Sequence, residues 1–304
     1  LSDEEDWPVT TGEMMLLDAY EMTLVDIKTV ELDAVHTLSV EVRWPHRAED
    51  WQLLREVGHG VAMCDTIGRL LGTAMWFPYG GAFMTIGMVL TSPRLQMLGA
   101  GRWLMKHVMA QAGHRAIGLN ATRAARRLYS SLSFTPDATV YQCQGLAVAP
   151  EDGPWPADAQ LRRPEPDDLA AMVALDTAAF RAGRAELLAH LIGLSRATIL
   201  QRDGRLVAFA LCRPFGRGHV VGPIVAADDE DAIAVVRPHV AEHAGRFLRI
   251  DTRQTEGAFP AFLTRSGMAV YDTVTTMSLG RRWVPRDRVA GAPIIYGLTS
   301  QALG

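Results

Sequence analysis

Apolar and polar residues alternate from Tyr20 to Lys28, which predicts a first strand. Glu31–Val42 and Arg47–Val57 have helical periodicity, and Trp44-Pro45-His46 separates them. Pro45 disfavours helical geometry at Trp44, so the chain breaks there. His59–Asp65 and Leu70–Phe77 read as strands joined by a turn at Thr66-Ile67-Gly68-Arg69. A second turn, Pro78-Tyr79-Gly80-Gly81, leads into the apolar strand Ala82–Leu90. Connections this short make the sheet antiparallel here. An amphipathic run then predicts a helix to Gln111, crossing over to a strand at Ala116–Asn120 that should pair parallel with Ala82–Leu90. A helix at Arg123–Leu132 and two closing strands reaching Val148 complete the unit. Residues 1–20, with Asp3, Glu4, Glu5 and Asp6, read as a mobile acidic lead-in.

The pattern then repeats. Glu151-Asp152-Gly153-Pro154-Trp155-Pro156 has linker composition. Beyond it, Gly68-Arg69-Leu70 returns as Gly204-Arg205-Leu206, and Pro78-Tyr79-Gly80 as Pro214-Phe215-Gly216 at the same offset. Gly87 returns as Gly222, and Ser133-Phe134 as Gly267-Met268. Several matches in one order point to duplication of one fold. The expected division is a lead-in at 1–20, a first domain at 21–150, a linker at 151–160, a second domain at 161–280 and an extension at 281–304. Where that extension lands is not legible in the sequence.

Length and composition narrow the chemistry. A chain of 304 residues with 48% hydrophobic and 21% charged residues has the composition of a globular protein with a sizeable core. A formal net charge of −4 supplies no basic field for nucleic acid. No apolar run reaches the ~18 residues of a membrane span. The acidic start is unlike a secretory signal. Cys64, Cys143 and Cys212 are far apart and lack metal-ligand spacing, so a reduced, cytoplasmic protein is the simplest expectation.

The richest stretch is Met88–Leu104. A buried strand runs into Gln96-Met97-Leu98-Gly99-Ala100-Gly101 and then into a helix. The first N–H groups of a helix have no intrahelical partner, and its dipole favours an anion there. Gly99 and Gly101 would let the backbone approach a phosphate closely. A packing glycine at a helix start is the competing reading. The loop lacks a Walker lysine, which argues against a nucleotide-phosphate binder.

Gln96, Gly99 and Gly101, spaced Q-x-x-G-x-G after a strand, resemble the pyrophosphate loop of the GNAT superfamily of acyl-CoA-dependent N-acyltransferases. Thr122–Phe134, TRAARRLYSSLSF, is similar to a second signature of that family, with Ala125 and Tyr129 in register. Thr122 stands where Asn is usual, and Ser133 where Gly is usual. The whole chain resembles tandem GNAT proteins. The resemblance implies an α/β (α+β) fold class: two tandem folds, each a mixed, mostly antiparallel sheet flanked by helices, with a parallel pair of strands that splays apart. It implies acetyl-CoA (coenzyme A) as cofactor and acetyl transfer to a primary amine, a small-molecule or amino-acid-like acceptor, by direct attack through a tetrahedral intermediate. The alternatives are a non-catalytic acyl-CoA sensor and a protein-lysine acetyltransferase.

The cofactor contacts so implied are Met88, Val89, Gln96, Met97, Leu98, Gly99, Ala100, Gly101, Arg102 and Thr122, with Arg126 of the cluster Arg123, Arg126 and Arg127 toward the 3′-phosphate. Tyr129 is the implied proton donor to the leaving thiolate. No glutamate stands in the strand Ala82–Leu90, whose only polar side chain is Thr85. The base is therefore sought around the first two helices, at Glu41, His46 or Asp50; His46 has a suitable pKa. Trp44, Trp51, Trp76 and Tyr79 are candidates for an acceptor pocket, and at least half of them should be core. The second copy reads Ala226-Ala227-Asp228-Asp229-Glu230-Asp231 where the loop should be, with Pro223 in the preceding strand and Leu263 in the place of Tyr129. Its carboxylates would cap their own helix and repel a pyrophosphate, so a degenerate domain without coenzyme A is expected. Three roles are open to it: shaping the acceptor site, stabilising the first copy, or forming a homodimer.

Overall fold

A computed structural model describes residues 12–17, 20–95, 98–151, 158–287 and 289–304. The chain forms two units that do not coincide with the two sequence repeats. One contains the residues up to Phe77 together with Ile86–Gly113; the other contains Pro78–Thr85 and His114–Gly304.

In the first unit, β1 (Met14–Leu17), β2 (Tyr20–Asp26), β3 (His59–Asp65) and β4 (Leu70–Tyr79, as far as Phe77) pair antiparallel in that order. The second half of β5 (Phe83–Thr91) follows β4. The expected mobile lead-in therefore includes a paired strand. Glu13 accepts the Trp103 indole N–H at 2.9 Å and meets His107 Nδ1 at 2.8 Å, tying the lead-in to helix α3 (Ala100–Ala110). These two contacts hold the Glu13 carboxyl below its ordinary range. α1 (Leu32–Glu41) and α2 (Ala48–Val57) lie within a residue of the expected spans. Asp50 accepts the Arg47 N–H at 2.9 Å and so satisfies a donor at the start of α2. Gly72 lets α3 close on the sheet: a Cβ there would sit 2.8 Å from Met63 Cε and 3.1 Å from Leu104 Cδ1.

In the second unit, strands from the two sequence repeats lie side by side. The strands are β6 (Ala116–Ala121), β7 (Thr135–Leu146), β8 (Ala159–Arg162), β9 (Arg196–Arg202), β10 (Arg205–Phe215), β11 (Gly218–Ala226), β12 (Phe247–Thr252), β13 (Ala269–Leu279) and β14 (Ile294–Gly297). They lie in the order β6-β13-β7-β12-β11-β10-β9-β8, with β14 added onto β11. The last strand of the second repeat, β13, pairs antiparallel with β6 and β7 of the first. In return β7 pairs with β12 of the second repeat. The repeats have exchanged their closing strands. The two closing strands expected up to Val148 are one strand, β7, whose long edges serve two neighbours. The expected helix at 123–132 shortens to α4 (Arg126–Ser130), preceded by a turn in which the Thr122 carbonyl accepts the N–H groups of Ala125 and Arg126.

The second repeat supplies α5 (Leu169–Phe180), α6 (Ala185–Leu194), α7 (Asp229–Glu242) and α8 (Ala258–Arg265). Its helices and strands follow the same order as those of the first repeat. β11 and β12 pair parallel only at His219–Leu248 and Val220–Arg249. Of the expected linker, residues 152–157 fall outside the described residues.

The exchange predicts that residues 12–150 alone leave β7 without either strand partner. That fragment should show no cooperative thermal transition by circular dichroism. A cooperative melt at the midpoint of the full chain would contradict the exchanged pairing.

Candidate functional site

In the first unit the site is built from β5, the loop that follows it and α3. Met88 has φ +51°, a left-handed conformation that non-glycine residues adopt only under local constraint. Its carbonyl accepts the Thr73 hydroxyl at 2.8 Å. A left-handed residue inside a strand turns the neighbouring peptide groups away from the ladder, as bulges do. Val89, the next residue, is half-buried. Beyond the short 3₁₀ turn Pro93–Leu95, Gly99 is the N-cap of α3 with φ +93°. A Cβ at Gly99 would meet nothing within 4 Å, so the space over this helix start is open. The N-cap Gly99 has no side chain with which to cap α3, and the first turn of α3 has no acidic residue. Ala100 is buried, Gly101 half-buried, and Leu98 and Arg102 are exposed. Gln96 and Met97 lie outside the described residues. An uncapped N-terminus with a glycine in the left-handed region suits the pyrophosphate of an acyl-CoA.

The candidate bases lie in the same unit. Glu41 is the exposed last residue of α1. His46 lies in the loop before α2, with ring centroids 5.5 Å from Trp44 and 6.4 Å from Trp51. Asp50 is 4% exposed, and Arg47 grips it through the backbone and guanidinium, which makes it a structural cap. Trp51 and Trp76 are core, both fully buried; Trp51 donates to Ser39 Oγ at 2.6 Å. Of the four candidate pocket aromatics, Trp44 alone is more than marginally exposed.

The remaining expected residues belong to the second unit. Thr122 opens the turn into α4, and Arg123, Arg126 and Arg127 are exposed around it. Tyr129 is 6% exposed and packs against Phe134 at 6.1 Å. Burial raises its phenol above the ordinary tyrosine value. The Tyr79 hydroxyl, also pushed up by burial, to about 12, donates to the Leu303 carbonyl at 2.8 Å. Thr85 donates to the Ala302 carbonyl at 2.9 Å, and Asn120 to that of Gln301 at 2.8 Å. The C-terminal extension thus covers Thr85, the polar side chain of the strand Ala82–Leu90, and Tyr79, a candidate for the acceptor pocket.

The same extension lies against β11, the strand of the second repeat that corresponds to β5. β14 pairs antiparallel with β11 at Ile224, Val225 and Ala226, beyond the point where β11 and β12 stop pairing. On its other side, Thr252 donates to the Tyr296 carbonyl at 2.6 Å and the Leu298 N–H to the Asp251 carbonyl at 2.8 Å. A Cβ on Gly222 would overlap the Leu298 carbonyl oxygen. At the start of α7, Asp228 accepts the Asp231 N–H at 2.9 Å. Asp229 accepts the Tyr296 hydroxyl at 2.8 Å and the Phe259 N–H at 3.0 Å. The cleft between strands and the helix start are both occupied by the chain itself. The sequence showed the acidic helix start but not the plug, because β14 is only four residues long and its partner is remote.

Comparison with known proteins finds the same repeat. The profile of the acetyltransferase (GNAT) family matches residues 28–134, and that of an acetyltransferase (GNAT) domain matches residues 172–289. The chain belongs to the GNAT superfamily. It is a tandem GNAT acyltransferase. An uncharacterized N-acetyltransferase, YitH of Bacillus subtilis (strain 168), is 26% identical over 92% of this chain and 98% of the relative. A putative acetyltransferase from Pyrococcus horikoshii superposes with TM-score 0.72 at 17% identity, covering 92% of this chain and 96% of that one. A tandem GNAT protein from the clavulanic acid biosynthesis pathway superposes with TM-score 0.59 at 14% identity, covering 88% and 100%. Among the described residues of this GNAT protein, no helix is long and apolar enough to cross a membrane, and no cluster of potential metal ligands occurs.

The Asp229 contacts predict a stability effect. Asp229→Ala removes the acceptor of two donors and should cost about 1–3 kcal/mol. Tyr296→Phe removes one hydroxyl and should cost about 1 kcal/mol. Urea unfolding of the two variants measures both, and equal losses would contradict the plug geometry.

Proposed function

We propose that the chain transfers an acetyl group from acetyl-CoA to a primary amine on a small, amino-acid-like acceptor, and that the first repeat carries the activity. The observation that supports this reading most is the contrast between the helix starts: α3 is uncapped and open at Gly99, whereas α7 is closed by Asp228 and Asp229. Bound acetyl-CoA supplies an activated acetyl thioester.

The residues divide the remaining work. The N–H groups of Gly99, Ala100 and Gly101 hold the pyrophosphate, with Leu98 and Arg102 flanking them. Met88 and Val89 present backbone groups to the cofactor arm and the reacting carbonyl. Thr122 and Arg126 are assigned to the arm and the 3′-phosphate. A lysine-like amine at pH 7 costs roughly 4–5 kcal/mol to deprotonate. His46 is assigned as the base that offsets this cost, with Glu41 as the second candidate. Tyr129 is assigned as proton donor to the departing thiolate. Burial suits it to that task, because its phenol stays protonated where an exposed tyrosine would begin to ionise, near pH 10.

Two experiments test the reading. Acetyl-CoA at ~100 times its dissociation constant should stabilise the wild type by about 2.7 kcal/mol in a thermal-shift titration. A folded Gly99→Glu, Gly101→Glu variant should lose that shift. No shift in the wild type would defeat the cofactor assignment, and a shift that survives in the variant would place the cofactor elsewhere. In a thiol-release assay over amine acceptors, Tyr129→Phe should lower kcat by about 100-fold or more, with no fall in wild-type rate as pH rises toward 10. Full turnover in Tyr129→Phe would remove Tyr129 from the mechanism. Tight cofactor binding without turnover on any amine would favour a sensor, and turnover on peptide lysine alone would favour a protein acetyltransferase.

A further inference from the structure

A cavity of about 470 Å³ lies wholly in the second unit, where the C-terminal extension passes the end of β12. Its walls include Phe180, Arg181, Arg253, Gln254, Trp283 and Arg286. This volume falls within the range of small-molecule sites. Trp283 is 6% exposed and meets Phe180 edge-on at 5.8 Å, which gives one wall a rigid aromatic surface. Among the described lining residues are three arginines and one carboxylate, Asp287.

Arg253 is the unusual member. Its guanidinium carbon lies 4.8 Å from the Trp283 ring centroid, and its Nε donates to Thr276 Oγ1 at 3.2 Å. Its Nη2 is buried and has no hydrogen-bond partner among the described residues. No carboxylate forms an ion pair with it among those residues, whereas the neighbouring Arg184 is closed by a bidentate pair with Asp176 at 2.8 Å. Burial, and then the charge of Arg184, pull the Arg253 pKa down to about 10 against the opposing charge of Asp137, which leaves it cationic at neutral pH. A buried cation with an unused donor is costly unless something pairs with it.

We propose that this cavity binds a small monocarboxylate with an apolar or aromatic body, its carboxylate on Arg253 and its body against Phe180 and Trp283. A guanidinium offers two parallel donors that match a planar carboxylate. A phosphate dianion is disfavoured, because a second negative charge would also have to be desolvated against the apolar walls. Gln254, beside Arg253, adds a neutral polar group that can orient the ligand. The site is independent of the acyl-transfer reading and requires only residues of the second unit.

The test is calorimetric titration of the full chain with 3-phenylpropionate, 3-phenylpropionamide and phenyl phosphate. The carboxylate should bind at least ~10-fold more tightly than the amide, since charge-assisted bonds are the stronger ones. It should also bind more tightly than the phosphate. Arg253→Gln should erase the difference between carboxylate and amide, and Arg253→Lys should restore part of it. Equal binding of carboxylate and amide, preference for the phosphate, undiminished carboxylate binding by a folded Arg253→Gln, or no heat from the carboxylate at millimolar concentration would each overturn the proposal. The three-ligand comparison on wild type decides the matter even if the arginine variants fail to fold. Acetyl-CoA binding, measured in parallel, reports separately on the first repeat.

Discussion

The four unpaired N–H groups at a helix start must find partners, and the two repeats meet this need in opposite ways. At α7 the chain satisfies itself. Asp228 caps the helix, Asp229 gathers the Tyr296 hydroxyl and the Phe259 N–H, and β14 lies along β11. At α3 the N-cap is a glycine without a capping side chain, the first turn has no acidic residue, and a Cβ on Gly99 would meet nothing within 4 Å among the described residues. One duplicated element thus gave a helix start open to an anion and one closed by carboxylates. The functional asymmetry proposed for the molecule rests on that difference in side chains.

The exchange of β7 and β13 gives the second repeat a role that needs no cofactor. β13 covers β6, and β7 bridges β13 and β12, so the closing strands of each repeat complete the other's sheet. Loss of a binding site in one copy leaves this pairing intact, because ladder hydrogen bonds do not depend on which side chains line a cleft. The extension reinforces it. Its end bonds to Tyr79, Thr85 and Asn120 of the first repeat and to Arg184 and Arg213 of the second, all within one unit.

Most of the helices and the hairpins of both repeats were legible from local signals, although the helix expected at 123–132 shortens to Arg126–Ser130. Pro45 broke α1 from α2, the Gly68 turn joined β3 to β4, and the repeated Gly204 turn marked β9 and β10. The glycines of the loop and the acids of α7 were legible as well, since capping chemistry is written within a few residues. What escaped was long-range. The partners of β7 depend on strands more than a hundred residues away, and no period in the sequence says which copy a closing strand joins. Tyr79 looked like a candidate for an acceptor pocket, but its hydroxyl is bonded to the Leu303 carbonyl. Asp50 looked like a base, but it is the partner of Arg47. Arg253 gave no signal at all, because an isolated arginine after a strand is ordinary until its surroundings are known.

One helix start of the pair is proposed to take an acyl-CoA and the other to exclude it. Equilibrium dialysis of the full chain against radiolabelled coenzyme A, at saturating ligand, counts the sites directly. One coenzyme A per chain is the expected result. Two per chain would show that β14 yields its place to the cofactor and would contradict the asymmetry. None would remove the cofactor from both.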